Sequence, residues 1–140
     1  MHMSNEDLVR DIYAAFNAGD IAAAGSRADA NTEVTLVPAG ATFPGRDGFL
    51  GFMGSFKSAF PDLHITPTNV VASGDFVVAE CTWNGTHKGE LGTPAGAIPA
   101  TNKRIEGAQF VEVYEIHDGI IRRMRNYQDL ASWMRQLGIG

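Results

Sequence analysis

The sequence has few of the features that mark metal, nucleic-acid or membrane function. Cys81 is the single cysteine among 140 residues, so no intramolecular disulfide can form, and we expect a reducing, cytoplasmic location. No apolar run approaches the roughly 20 residues of a membrane helix. The longest basic run is Arg122-Arg123, and the net charge is −5, which argues against nucleic acid and anionic membranes as partners. The composition favours a small hydrophobic ligand.

Cofactor motifs are also missing from the sequence. His64, His87 and His117 do not have the spacing of metal ligands. No glycine-rich phosphate loop follows a predicted strand, and no serine lies in a nucleophile elbow. We therefore expect neither a metal nor a cofactor.

The order of the predicted elements indicates one α+β domain over residues 3–140, with Met1 and His2 as remnants of cloning. A first helix begins after Ser4 and ends at Gly19, and Asp20 caps a short second helix. A third helix follows residues 45–48, and Asp129 opens the last. The predicted strands cover residues 34–37, 64–73, 76–85, 104–116 and 120–128, and residues 89–101 are expected to form a loop.

The third predicted helix carries a stripe of large apolar side chains. Phe49, Phe52, Met53 and Phe56 recur at the spacing of one helix face. Core packing explains this stripe, and some of the rings are also candidates for the wall of a pocket.

Three stretches resemble a known family. They are Tyr13–Asp20 (YAAFNAGD), Gly85–Gly96 (GTHKGELGTPAG, with Ala95 where the family pattern has threonine), and the ending formed by residues 118–121, Asp129 and residues 136–138. They are similar to the SnoaL-like polyketide cyclases of the nuclear-transport-factor-2-like superfold, with ketosteroid isomerases as more distant relatives. The resemblance implies a cone-shaped barrel: N-terminal helices packed on a curved, mostly antiparallel sheet that encloses a pocket, and a short C-terminal helix.

The resemblance also implies a homodimer formed through the outer face of the sheet. The residues expected near that interface are Val111, Val113, Arg123, Arg125 and Tyr127.

Alternation along the last strand separates two sets of side chains. Met124, Asn126 and Gln128 form the set that alignment to the family places toward the cavity, while the other set contains Arg123 and Arg125. Burying unpaired guanidinium groups in a pocket is costly, so the charge pattern agrees with the alignment.

Glu112 is the main acid–base candidate. It shares a strand face with Phe110, Tyr114 and Ile116, and it matches the acidic group that ketosteroid isomerases place against an oxyanion. If Glu112 points inward, desolvation raises its pKa toward the range that general acid–base catalysis uses. The alternative is an exposed glutamate or an ion pair with Arg122 or Arg125.

Three further residues each have a structural and a functional interpretation. Tyr13 aligns with the phenol of the isomerases and either contacts a ligand or anchors the first helix. His87, in the GTH segment, suits proton transfer or fixes the following loop. Asp129 suits a helix N-cap and would be catalytic only if its carboxylate turned inward.

Charged groups of the relatives are missing at two places. Val37 or a neighbour occupies the position of the isomerases' carboxylate base, so we do not expect steroid isomerase activity. Met124 and Asn126 stand where the cyclases tend to have histidine and aspartate, and neither is a base at neutral pH. Asn126 can still donate to an enolate oxygen.

The leading hypothesis is a cofactor-independent enzyme that moves a proton next to a carbonyl group in cyclisation or isomerisation of a hydrophobic compound. The catalytic candidates are Glu112, His87, Asn126, Tyr13 and Asp129; the ligand-binding candidates are Phe16, Phe52, Phe56, Trp83, Phe110, Tyr114, Met124 and Gln128. One alternative is a non-catalytic binding or assembly module. An epoxide hydrolase is less favoured, because it needs an Asp–Arg–Asp cluster inside the cavity.

Overall fold

A computed structural model describes residues 3–93 and 96–139. Its helices are α1 (Asn5–Asn17), α2 (Ile21–Ala24), α3 (Gly45–Ala59) and α4 (Leu130–Leu137), and a 3₁₀ turn covers Val37–Ala39. Its strands are β1 (Ala28–Leu36), β2 (Ala41–Pro44), β3 (His64–Ser73), β4 (Phe76–Thr86), β5 (Leu91–Thr93), β6 (Gly96–Ile98), β7 (Arg104–His117) and β8 (Ile120–Gln128). Met1, His2, Pro94 and Ala95 of the predictions above lie outside the described residues.

The main sheet has the order β2-β1-β8-β7-β4-β3, and β5 pairs with β6 separately. All neighbouring strands of the main sheet are antiparallel except β1 and β8, which are parallel. The predicted α+β class, with a mostly antiparallel sheet and a short C-terminal helix, is therefore confirmed. The long strands β4, β7 and β8 form the centre of the sheet and supply its inner face.

The chain between α2 and α3 differs most from the prediction. β1 begins at Ala28 rather than near Val34, and β2 was not predicted. The first part of β1 is mostly polar, and a register shift separates Ala28 from Glu33 along β8. Thr32 is its single β-branched residue, so no β-branched run marks it as a strand. The contact that holds this segment is tertiary: Thr32 Oγ1 donates to the carbonyl of Ile121 at 2.6 Å.

The helix ends follow local rules that the sequence shows directly. The side chains of Ser4, Asp20 and Asp129 accept hydrogen bonds from backbone N–H groups in the first turns of α1, α2 and α4. Gly138 ends α4 with a φ of 75°, a left-handed conformation in which a residue without Cβ is favoured.

The inner face of the sheet packs against α1 and α3. Fully or almost fully buried side chains of the two helices, such as Val9, Phe16 and Phe49, meet sheet residues such as Tyr114 and Met124 in one hydrophobic core. At roughly 1.5–3 kcal/mol for each large apolar side chain buried, this contact is the main stabilising term of the fold. Among the described residues, no helix is long and apolar enough to cross a membrane.

Candidate functional site

A cavity lies between α1, α3 and the inner face of the sheet. Its empty volume, with the mouth included, is about 520 Å³, and its wall is largely apolar. It is lined by Ile12, Tyr13, Phe16, Phe49, Phe52, Met53, Phe56, Leu63, Ile65, Trp83, Phe110, Glu112, Tyr114, Met124, Asn126 and Gln128. A hydrophobic wall with a few converging polar groups is the usual composition of a small-molecule site.

The structure brings every ligand-binding candidate of the sequence analysis to this cavity. Sequence reasoning missed Ile12, Met53, Leu63 and Ile65 as lining residues. Ile12 precedes Tyr13 on the buried side of α1, and this signal could have identified it. Leu63 directly precedes β3 and Ile65 is its second residue, and the sequence pattern there does not show which face meets the helices.

Asn17 holds α1 against the sheet and so determines where Tyr13 lies. Its Nδ2 donates to the carbonyl of Ile65 at 2.8 Å, and its Oδ1 accepts from the N–H of Ile65 at 2.8 Å. The amide therefore pairs with β3 much as a neighbouring strand would. Because Tyr13 is four residues earlier, one helical turn away, its ring lies over the inner face of the sheet. Sequence reasoning treated Asn17 only as part of the helix end.

The polar part of the cavity is a hydrogen-bonded group that we call the Glu112 cluster: Tyr13, Glu112, Tyr114 and Asn126. Oε1 of Glu112 accepts from the hydroxyls of Tyr13 at 2.8 Å and Tyr114 at 2.9 Å. Oε2 accepts from Nδ2 of Asn126 at 2.7 Å. The two hydroxyl oxygens are 3.3 Å apart, and each phenol uses its single proton in the shorter bond to Glu112. Both oxygens of the carboxylate are thus occupied by neutral donors.

Strand register explains why these residues meet. Glu112 on β7 is directly opposite Asn126 on β8, and Tyr114 is opposite Met124. Opposite residues on one sheet face have Cβ atoms about 4.5–5.5 Å apart, which brings a glutamate and an asparagine within hydrogen-bond reach. Only Tyr13 comes from a distant part of the chain.

Glu112 is 5% exposed, and no cationic side chain of the described ranges is within 4.0 Å of its carboxylate. The alternatives of a solvated glutamate or a pair with Arg122 or Arg125 therefore do not apply; Arg122 instead lies 3.7 Å from Asp29. Burial raises the pKa of Glu112, and the hydrogen bonds from Asn126, Tyr13 and Tyr114 oppose part of that rise. Burial and the nearby Glu112 charge also raise the pKa of both tyrosines, which keeps them protonated as donors.

The faces of β8 are arranged as the alternation predicts. Met124 and Asn126 are 1% and 2% exposed and line the cavity with Gln128. Tyr127, on the opposite face, is 42% exposed.

His87 is buried but does not line the cavity. Its Nδ1 accepts from the N–H of Thr101 at 3.2 Å and is 3.0 Å from the Thr101 hydroxyl, and its ring stacks on Phe60. Burial lowers its pKa. The structure therefore supports the loop-fixing interpretation of His87 and removes the geometric basis for proton transfer to a ligand in the cavity.

The segment around His87 also packs against the end of α3. The N–H groups of Lys88 and Gly89 both bond to the carbonyl of Ala59 at 3.0 Å. A Cβ at Gly89 would be 2.3 Å from the carbonyl oxygen of Ser58, so only glycine permits this approach.

Asp129 is likewise outside the cavity. It is exposed, and its Oδ1 accepts from the N–H of Ser132 at 3.2 Å as the N-cap of α4. The capping interpretation accounts for this residue, and the inward-turned carboxylate that a catalytic role required is not found.

The arrangement can perform acid–base chemistry on an apolar ligand. One buried carboxyl group faces the cavity, two phenols and an amide determine its orientation, and aromatic rings form much of the surrounding wall. Within the described ranges, no three His, Cys, Asp or Glu side chains come together as a group that could hold a metal.

Comparison with known proteins places the chain in a class and then in a family. The fold is that of a Catenulispora acidiphila protein described as having a ketosteroid isomerase-like fold (21% identity, 98% of this chain and 96% of that chain, TM-score 0.77). The family profile described as SnoaL-like polyketide cyclase matches residues 6–137. The chain belongs to the SnoaL-like polyketide cyclase family, as its sequence motifs predicted.

Two solved structures of higher identity are described as candidate polyketide cyclases. One is from Pseudomonas putida, with 27% identity over 96% of this chain and 98% of that chain, and a TM-score of 0.77. The other is IdmH from Streptomyces antibioticus, with 25% identity over 97% of this chain and 100% of that chain, and a TM-score of 0.78. None of the curated proteins searched matches the sequence.

Proposed function

We propose that this protein is a cofactor-independent acid–base catalyst that cyclises or isomerises a hydrophobic carbonyl compound. The observation that carries the proposal is the buried Glu112 carboxyl group, which faces an apolar cavity and is bonded to neutral donors alone. The described relatives of the family support the class of reaction, since two of them are described as candidate polyketide cyclases.

In this proposal Glu112 removes a proton from the carbon next to the ligand's carbonyl group. The electron pair of the C–H bond moves to the carbonyl oxygen and forms an enolate. Once Glu112 is protonated, it accepts hydrogen bonds less strongly, so a hydroxyl of Tyr13 or Tyr114 can turn to the enolate oxygen. In cyclisation the enolate carbon attacks a second carbonyl, whose π electrons move to its oxygen, and the resulting alkoxide takes the proton from Glu112. In isomerisation the proton returns from Glu112 to another carbon of the conjugated enolate, which shifts a double bond.

The first step can be tested without the natural substrate. 2-Tetralone is a hydrophobic ketone with an acidic C–H group, and NMR in D₂O follows the exchange of that proton. We expect Glu112→Gln to slow the catalysed exchange by about 10²–10⁴-fold, the usual contribution of a positioned acid–base group. Glu80→Gln is the matched control, because Glu80 lies on the neighbouring strand with its side chain exposed and bonded to Asn69.

Equal exchange rates for the wild type and Glu112→Gln would remove Glu112 from the chemistry. If 2-tetralone binds to the wild type without exchange above the uncatalysed rate, the protein is a binding module rather than a catalyst. The absence of the relatives' charged groups at Val37 and Asn126 favours this binding-module alternative.

We also propose that the protein is a homodimer that pairs through the outer face of the sheet. Val71, Val78 and Val113 are in register across β3, β4 and β7, and Val71 and Val78 are 62% and 39% exposed. An apolar row of this kind on a sheet face is typical of an interaction surface. Light scattering at micromolar concentration should give twice the 15.0 kDa chain mass, and a monomer mass would contradict the proposal.

A further inference from the structure

Two residues that line the cavity each have a buried hydrogen-bond acceptor that no group of the described residues satisfies. These acceptors are Oδ1 of Asn126 and Oε1 of Gln128, both fully shielded from solvent and without a partner. Both residues line the cavity, on the same face of β8. A buried acceptor without a donor costs about as much as a lost hydrogen bond, so such atoms are rare in native proteins and call for an explanation.

The orientation of the Asn126 amide follows from its other contact. Nδ2 donates to Oε2 of Glu112 at 2.7 Å, and an ionised carboxylate can only accept. Oδ1 is therefore the atom left for a ligand as long as Glu112 carries its charge. The hydroxyls of Tyr13 and Tyr114 are directed at Oε1 of the same carboxylate, so they do not satisfy either amide oxygen.

We propose that Asn126 and Gln128 form a subsite for a hydrogen-bond donor, a hydroxyl or N–H group, on the carbonyl compound that the cavity binds. The inference rests on the proposed function for the ligand's hydrophobic and carbonyl character, and it adds a second polar group to that ligand. Glu112 on β7 is directly opposite Asn126 on β8. Gln128, two residues further along β8, is therefore the diagonal neighbour of Glu112, and diagonal neighbours lie about 7–8 Å apart. The ligand's donor group would therefore bind next to Glu112 on the same sheet face, close to the carbon that Glu112 would deprotonate.

Three related ketones test the subsite: 2-tetralone, 6-hydroxy-2-tetralone and 6-methoxy-2-tetralone. The hydroxyl can donate, whereas the methoxy group at the same carbon can only accept. Trp83 lines the cavity, so quenching of tryptophan fluorescence reports binding of each compound. We expect the hydroxy ketone to bind about tenfold more tightly than the methoxy ketone, since one satisfied buried acceptor is worth about that factor.

The side chain responsible is tested by Gln128→Met, which keeps the length and removes the acceptor. We expect this variant to bring the hydroxy-to-methoxy affinity ratio close to one, while Tyr127→Phe, on the exposed face of the same strand, leaves the ratio unchanged. Equal binding of the two ketones to the wild type, or preference for the methoxy ketone, would overturn the inference. A ratio that Gln128→Met does not change would overturn it as well.

Failure of this inference can be distinguished from failure of the proposed function. The subsite is measured by affinity ratios, and these do not depend on proton exchange. The catalytic proposal is measured by exchange in 2-tetralone, which has no hydroxyl. If none of the three ketones binds at millimolar concentration, both proposals are wrong about the ligand.

Discussion

Replacing Tyr13 by phenylalanine isolates the contribution of one hydrogen bond to the Glu112 cluster. The change removes the 2.8 Å bond to Oε1 of Glu112 and the weaker 3.3 Å contact with Tyr114 and leaves the ring in place. A hydrogen bond to a charged group contributes about 1.5–3 kcal/mol, and one between neutral groups about 0.5–1.5 kcal/mol. The free energy of unfolding should therefore fall by more when Glu112 is ionised than when it is protonated.

The direction of the pH dependence follows from the raised pKa of Glu112. Its folded-state pKa is above the ordinary value of 4.5, so the folded state holds the proton more tightly than the unfolded state. The stability contributed by this proton is fully present below pH 4.5 and is lost as the pH rises through the folded-state pKa. The hydroxyl of Tyr13 opposes the rise in pKa, so the variant should have a still higher Glu112 pKa and a larger loss of stability with rising pH.

Urea unfolding at about pH 4 and about pH 9 measures both limits. We expect Tyr13→Phe to lower the unfolding free energy by about 1 kcal/mol at the acid limit and by about 2 kcal/mol at the alkaline limit. A ¹³C NMR titration of the glutamate carboxyl groups should show the rise in pKa directly. Tyr127→Phe is the matched control, since Tyr127 is 42% exposed and faces away from the cavity.

Equal losses of stability at the two pH values would refute the reasoning, because the charge of Glu112 would then have no part in the bond. A Glu112 pKa that stays the same or falls in Tyr13→Phe would refute it too. So would a loss no larger than that of Tyr127→Phe.

Three further predictions test the positioning and burial of the site residues. Asn17→Ala removes both 2.8 Å bonds to the backbone of Ile65 and should lower the unfolding free energy by about 1–3 kcal/mol. Asn69→Ala, at an exposed position, should change the unfolding free energy little, and equal effects of the two variants would contradict the anchoring role of Asn17. Burial raises the pKa of the Cys81 thiol to about 12, which leaves little of the reactive thiolate at neutral pH. A disulfide reagent should therefore label Cys81 rapidly only in urea, and rapid labelling of the native protein would disprove its burial. Asp129→Ala should cost about 1 kcal/mol through loss of the cap and leave 2-tetralone exchange unchanged; an exchange rate reduced tenfold or more would return Asp129 to the catalytic site.

Local patterns in the sequence were enough to identify most elements of the fold. Ser4, Asp20 and Asp129 mark helix starts by a rule that involves only the neighbouring backbone. Alternation in β8 separates Asn126 from Tyr127 because successive side chains of a strand point to opposite faces. The order of the predicted elements indicated the α+β class, which the structure confirms, and the motifs predicted the family, which the family match confirms.

The cavity lining was accessible to sequence reasoning where a residue lay on a clearly amphipathic element. Phe52 and Phe56 on α3 are examples, since their helical spacing shows a single apolar face. β2 and the start of β1 were not accessible, because β2 is a strand through its pairing with residues 33–36 of β1, and Ala28 through its pairing with Ile121 of β8. Neither depends on a strong local preference.

The sequence by itself determined the four helices and the long strands, the inner face of β8 and the presence of an acidic residue on one face of β7. It did not predict β2, or β5 and β6 within the segment expected to form a loop. Only the tertiary structure decided what surrounds Glu112, because Tyr13 reaches it across 99 residues of chain and Asn126 across 14. The same is true of the exclusion of His87 from the cavity, which depends on its contact with Thr101, 14 residues further along the chain. Hydrogen-bond partners that are distant along the chain are brought together by packing in three dimensions, and the spacing of residues in the sequence does not contain that information.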